Sequence, residues 1–222
     1  MSTVFNGKYW SIQRFISGFS NNAFLITCAR SGSSVIIDTP ANPFELIQAA
    51  TNSNVEAILI THGHRDHVEG FYDVSESFTV PTGIGSGDRN SLPASAPVNI
   101  DVSTDAIIVI GNISLQAMAT PGHTRGSTCY LLESNDSEAA GEEAHVFTGD
   151  TLFPGGPGKS SSPEALRQIL ESLEKHIFPL PESTVVLPGH GEFTTIGDSQ
   201  KEYAMFSAKP LDPNLYGDVT WG

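Results

Sequence analysis

Cysteine is almost absent from this chain. Of 222 residues only Cys28 and Cys129 are cysteines, far apart and each inside an apolar, strand-like run. No disulfide framework holds the fold, and two buried free thiols are expected. Positive charge is also scarce, with 11 Lys and Arg against 25 Asp and Glu and a net charge of −14. Nucleic-acid binding depends on clustered Lys and Arg. Here they are scattered, so a nucleic-acid partner is not expected. Long apolar runs are missing as well; none approaches the ~18 residues of a membrane span. Residues 1–20 carry polar and charged groups throughout, with no apolar signal-peptide core. The expectation is a cytoplasmic protein that neither spans nor binds a membrane. What remains is 39% hydrophobic and 16% charged, the balance of a folded globule. Its 21 Gly and 14 Pro point to many turns and short strands, and the length suits one large domain, residues 1–222.

Histidine is rare too, 7 in all, yet three of them and a carboxylate fall between His62 and His67 in Thr61-His62-Gly63-His64-Arg65-Asp66-His67. The apolar run Val55-Glu56-Ala57-Ile58-Leu59-Ile60 precedes it and reads as a buried strand. The ligands therefore sit on a turn at a strand's C-terminal end, where open α/β sheets place their sites. His62 and His64 are two apart, so in extended chain both point the same way. Asp66 and His67 follow where the chain turns or enters a helix, and there they face a second point. Each pair needs outside ligands, and the spacing argues for two metal ions.

The rest of the chain supplies such ligands. Residues 8–38 alternate apolar and polar in three runs, a meander of antiparallel strands. Thr39 to Pro43 ends it, and a helix over roughly 43–52 follows, with Asn42 as N-cap and Pro43 at its first position. Asp38, at a strand end, either orients a ligand histidine from behind or lies on a surface turn. Phe78-Thr79-Val80-Pro81 reads as a short strand, and residues 83–97, rich in Gly, Ser, Asn and Pro, as a mobile loop. Residues 106–110 and 113–118 form a hairpin about Gly111-Asn112. His123 then stands in Thr120-Pro121-Gly122-His123-Thr124, Asp150 in Thr148-Gly149-Asp150-Thr151, and His190 in Pro188-Gly189-His190-Gly191, each just after an apolar strand. Residues 133–144 read as an acidic, solvated excursion, and His145 as structural or exposed. Gly155 to Ser160 lacks phosphate-loop spacing and reads as a flexible loop, with Lys159 free to meet an anion. Ser161 or Ser162 caps a helix over 163–177 with the stripe Leu166, Ile169, Leu170, Leu173 and Ile177. His176 near its end suits the helix dipole. A last helix covers 198–207, and Trp221 docks the tail.

This set resembles the metallo-β-lactamase superfamily over roughly residues 8–207. The superfamily's His-x-His-x-Asp-His stands as His62 to His67, followed in order by His123, Asp150 and His190. The resemblance implies an α+β fold, a four-layer αββα sandwich of two mixed β-sheets with helices on the outer faces. It also implies two divalent metal ions, zinc first, with iron or manganese as alternatives. His62, His64 and His123 would hold one, Asp66, His67 and His190 the other, and Asp150 would bridge them. Asp66 would be catalytic as well, orienting the attacking hydroxide and carrying its proton to the leaving group. Within the superfamily the chain is most similar to short glyoxalase II-like (hydroxyacylglutathione hydrolase-like) proteins, through Gly149-Asp150-Thr151-Leu152-Phe153 followed by Gly158-Lys159. That implies a binuclear metallohydrolase using a zinc-bound hydroxide to cleave a thioester or ester, with Lys159 binding an anionic small-molecule substrate. Ser160 to Ser162 stand where that family has a tyrosine, and the tail offers Lys201 and Lys209 as its basic residues. A lactonase or β-lactam hydrolase, and a mononuclear-iron persulfide dioxygenase, are the competing expectations on the same site.

Overall fold

From Trp10 to Arg14 the side chains alternate between buried and half-exposed, the pattern of a strand with one face in the core. The computed structural model describes residues 1–133, 142–208 and 210–221. In it the first sheet is ordered β1 (Ser2–Asn6), β2 (Trp10–Ser17), β3 (Asn21–Cys28), β4 (Ser33–Ile37), β5 (Asn54–Leu59) and β6 (Thr82–Gly83). β1 to β4 pair antiparallel in sequence order. Between β4 and β5 the chain crosses over through α1 (Phe44–Ala50), so β4, β5 and β6 run parallel. Parallel neighbours bury both faces, and β4 is accordingly buried along its length, with Val35, Ile36 and Ile37 apolar after two buried serines.

The second sheet has the order β14-β13-β10-β9-β8-β7. β7 (Ile107–Ile110) and β8 (Ile113–Ala119) form the hairpin expected at Gly111-Asn112, with Gly111 at φ +55. β9 (Thr128–Glu133) and β10 (His145–Gly149) follow; β13 (Val185–Pro188) lies parallel to β10, with β14 (Thr194–Thr195) at the edge. A small ribbon, β11 (Leu152–Phe153) with β12 (Gly156–Pro157), stands apart.

The two sheets face each other across a core of Trp10, Ile12, Phe24, Ile26, Leu59, Leu115, Tyr130 and Phe147. Phe24 and Phe147 meet edge to face with centroids 5.1 Å apart. On the outer side of the first sheet, α1 and α3 (Phe71–Ser77) bury Leu46, Ala50, Phe71 and Val74. On the outer side of the second, α4 (Pro163–Ser172) and α5 (Ile196–Ser207) bury Leu166, Ile169, Leu170 and Ile196. This is the αββα layering expected. Ser162 caps α4 through the Ala165 amide, and the helix widens into a π-helical turn at Leu173–Ile177. Cys28 and Cys129 are buried free thiols, and no helix among the described residues is long and apolar enough to cross a membrane.

Several expectations need correction. Asn42 is not a cap: it takes φ +55, Pro43 is the residue preceding α1, and no side chain caps it. Residues 78–81 are not a strand. The strand is two residues at Thr82–Gly83, and α3 ends at Ser77, just before residues 78–81. The segment 83–97 contains a 3₁₀ turn at Ser86–Ser91 with Asp88 buried, so it is pinned where a mobile loop was expected. Residues 134–141 of the acidic excursion, and Lys209, lie outside the described residues.

Candidate metal centre

Each donor sits where a strand runs out. β5 ends at Leu59, and Ile60 and Thr61 lead to His62. His64 is the extended residue before α2 (Arg65–Val68), whose single turn aims Asp66 and His67 inward. The β8–β9 connection carries His123, the end of β10 Asp150, and the end of β13 His190. Both sheets thus deliver donors to one lip. All seven residues expected from the sequence are brought together there. His62, His64 and His123 form one group, His62, His67 and Asp150 a second, and Asp66, His67 and His190 a third, with ligand atoms within 4.8 Å inside each group.

His64 Nδ1 is 3.2 Å from His62 Nε2 and 2.9 Å from His123 Nε2. His67 Nε2 is 3.2 Å from His190 Nε2 and 3.3 Å from Asp150 Oδ1. Asp150 Oδ2 lies 3.5 Å from His123 Nε2 and 3.6 Å from His190 Nε2, so this carboxylate touches both sides. Donors bound at 2.0–2.1 Å around a tetrahedral ion stand about 3.3 Å from one another. The observed separations have that size. Asp150 Oδ1 is buried without a hydrogen-bond partner, and a cation would satisfy it. The donor set fits metal.

Behind the donors, acceptors fix the ring tautomers. His123 Nδ1 donates to the Lys159 carbonyl at 2.8 Å, and His190 Nδ1 to the Phe19 carbonyl at 3.2 Å. His67 Nδ1 donates to Asp38 Oδ2 at 2.9 Å. His62 Nδ1 is 3.2 Å from Thr61 Oγ1, whose hydroxyl donates to the same Asp38 oxygen at 2.7 Å. In these four histidines the outer nitrogen is occupied, which leaves Nε2 to the centre; His64 alone presents Nδ1. Asp38 is 1% exposed and orients His67, so it does not lie on a surface turn.

Charge at the centre is strongly shaped. Burial depresses His62 well below the usual histidine range, with His67 adding to it. Burial works the same way on His67, but the Asp150 and Asp38 carboxylates outweigh it and push that ring up to about 10. Burial raises Asp150, yet His67 at 3.3 Å and the other surrounding histidines hold it far below the carboxylate range. The point between Asp38, His67 and Asp150 therefore demands positive charge.

Sequence reasoning missed the scaffold around this set. Asn21, 1% exposed, donates from Nδ2 to Asp66 Oδ2 at 2.9 Å. Asn22 donates to the Pro188 and Gly191 carbonyls and accepts from Arg14 Nε at 2.8 Å, so the turn carrying His190 is clamped from β2 and β3. Asp88 accepts from the Gly63 amide at 2.8 Å, the Thr124 hydroxyl at 2.6 Å and the Gly126 amide at 3.1 Å. It ties the His62–His67 turn to the His123 turn. Gly149, at φ +48, has its Cα against Thr61, where a Cβ would come within 2.4 Å of Oγ1. No local signal marks Asn21, Asn22, Arg14 or Asp88, because their partners are remote in sequence. Lys159 is the one expected site residue outside the donor cluster. Its carbonyl holds His123, while its side chain is 68% exposed and lies 3.8 Å from Asp218.

The model of the Metallo-beta-lactamase superfamily matches residues 16–190. A probable hydroxyacylglutathione hydrolase of Schizosaccharomyces pombe is 32% identical over 206 residues, covering 90% of this chain and 72% of that one. A crystal structure of a metallo-beta-lactamase from Staphylococcus aureus superposes with a TM-score of 0.77 at 25% identity, covering 94% of this chain and 65% of that one. A protein solved in a di-iron-bound form superposes with a TM-score of 0.68 at 27% identity, covering 85% of this chain and 97% of that one.

Proposed function

This chain belongs to the metallo-beta-lactamase superfamily, and from that premise we propose that it is a binuclear metal-dependent hydrolase of a thioester or ester. The observation that carries the reading is the placement of Asp150, whose carboxylate lies beside His123 of one donor group and beside His67 and His190 of the other. A carboxylate so placed suits two cations better than one. His62, His64 and His123 would hold one ion, Asp66, His67 and His190 the other, with Asp150 between. A pair of divalent ions in such a site supplies a Lewis acid for the substrate carbonyl and a water of lowered pKa.

The chain's own groups do the rest. The side chain of Asp66 is 40% exposed at the lip. Burial raises its pKa, but the Asn21 amide, His67 and His190 outweigh that and lower it. Asp66 is therefore ionised at neutral pH, free to accept a proton from the attacking water and pass it to the leaving group. Asn21 fixes which carboxylate oxygen faces the reaction. The ammonium of Lys159, the residue whose carbonyl holds His123, is the group proposed to meet an anionic part of the substrate.

The likeness to the hydroxyacylglutathione hydrolase supports a thioester. The test is metal content of protein purified without added metal, with S-lactoylglutathione hydrolysis followed on the same sample. Two zinc ions with turnover support the reading. Two ions without turnover keep the hydrolase and redirect the search to lactones and β-lactams. A single iron overturns it in favour of redox chemistry. The likeness to a protein solved in a di-iron-bound form makes iron the second metal to assay.

A further inference from the structure

The C-terminal tail is paired to the loop that carries Lys159. Ser160 and Gly217 form an antiparallel bridge, with the Ser160 amide donating to the Gly217 carbonyl at 3.0 Å and the reverse bond at 3.1 Å. Gly217 makes this with φ +97, a conformation that side-chain-bearing residues rarely adopt. Further along, the Trp221 amide donates to the Gly155 carbonyl at 2.8 Å, and its indole is buried against Phe178, Tyr203 and Phe206. The tail is thus held at both ends of the loop.

In an antiparallel bridge the residue before one partner faces the residue after the other. Here those are Lys159 and Asp218, and Lys159 Nζ lies 3.8 Å from Asp218 Oδ2. The backbone register imposes the meeting, so less side-chain entropy is spent on it than in a chance surface pair. An anionic substrate group binding Lys159 must compete with this carboxylate in a protein already carrying a net charge of −14.

We propose that Asp218 is a specificity-determining residue: it occupies the ammonium of Lys159 from within the chain and shifts preference from carboxylate-bearing acyl thioesters toward uncharged ones. The proposal rests on the hydrolase reading above, and its test separates the two. In the metal-loaded full chain, kcat/KM is measured for a glutathione thioester, which carries two carboxylates, and for an uncharged N-acetylcysteamine thioester. Wild type, Asp218→Asn, Lys159→Ala and the double variant are compared.

Asp218→Asn is expected to raise the ratio of the glutathione to the uncharged substrate about two- to fivefold, the range of an exposed pair. The gain falls on KM, shrinks with added salt, and vanishes when Lys159 is also Ala. In parallel, calorimetry with S-hexylglutathione, which cannot be hydrolysed, reads the same competition without turnover. Tighter binding by Asp218→Asn, lost in the double variant, supports the proposal even if no thioester is cleaved, an outcome that sinks the hydrolase reading alone. An unchanged ratio with the uncharged thioester still hydrolysed, or unchanged binding of S-hexylglutathione, overturns it.

Discussion

Asp38 Oδ2 lies 2.9 Å from His67 Nδ1, and both side chains are buried. The same oxygen accepts the Thr61 hydroxyl, and through it holds His62. One carboxylate, which ligates nothing itself in this arrangement, therefore sets the tautomer of two histidines serving different groups of donors. It takes φ +60 to do so, a conformation that few residues other than Gly, Asn and Asp tolerate.

Asp38→Asn keeps the backbone conformation accessible, removes the charge and replaces one accepting oxygen with an amide NH2. It is expected to weaken metal retention about 10- to 100-fold, the usual cost of losing an outer carboxylate partner. Chelator competition on wild type and variant, with loss of metal followed over time, reads the effect. Equal retention would show that Asp38 only braces the turn.

His67 is pushed up to about 10 by Asp150 and Asp38 against its burial. At pH 7 to 8, below that value, the metal-free ring keeps its proton, and ligation must remove it. Binding of zinc to the apoprotein is expected to release roughly one proton and to weaken about tenfold per pH unit as pH falls. Calorimetric titrations in two buffers of different ionisation enthalpy give the proton count directly. A count of zero would contradict the charge arrangement described.

His145 sits at the start of β10 against Phe5, with ring centroids 4.5 Å apart, and burial pushes it down to about 4. In the unfolded chain it titrates near the ordinary ~6.5. The folded state thus resists protonation. Its stability is full above pH 6.5 and is lost as pH falls toward 4, by on the order of 2–3 kcal/mol. Urea midpoints of wild type and His145→Leu from pH 7.5 to 4 are expected to diverge only below pH 6.5. Parallel curves would remove His145 from the acid response.

Asp88 receives two amides and a hydroxyl from both histidine-bearing turns. Asp88→Ala leaves those donors facing a cavity and is expected to cost about 2–4 kcal/mol. Thermal melting would register this as a drop of several degrees, accompanied by weaker metal retention because both turns loosen. A variant that melts as wild type does would show that water replaces the carboxylate.

Trp221 is 4% exposed and closes an aromatic box with Phe178, Tyr203 and Phe206. Trp221→Ala is expected to cost about 3–5 kcal/mol. It also frees the loop whose Lys159 carbonyl holds His123. Amide hydrogen exchange across 155–160 should rise in the variant, and unchanged protection there would uncouple tail from site.

The donors were legible because they are local. Four of the seven fall within His62 to His67, and the other three each follow an apolar run, so chemistry and strand ends coincide in one dimension. The strand meander, the Gly111-Asn112 hairpin and the α4 stripe were legible for the same reason: period and turn chemistry act over a few residues. Tertiary structure alone decided the partners. Asn21 reaches Asp66 across 45 positions, Asn22 and, through its bond to the Gly191 carbonyl, Arg14 reach the His190 turn across more than 160, and Asp88 turns a glycine-rich stretch from a loop into a pinned 3₁₀ segment. Nothing in the neighbourhood of those residues announces a role. A side-chain amide or carboxylate gains its use only when the packing of two sheets brings a remote backbone to it and burial makes the unmet hydrogen bond costly.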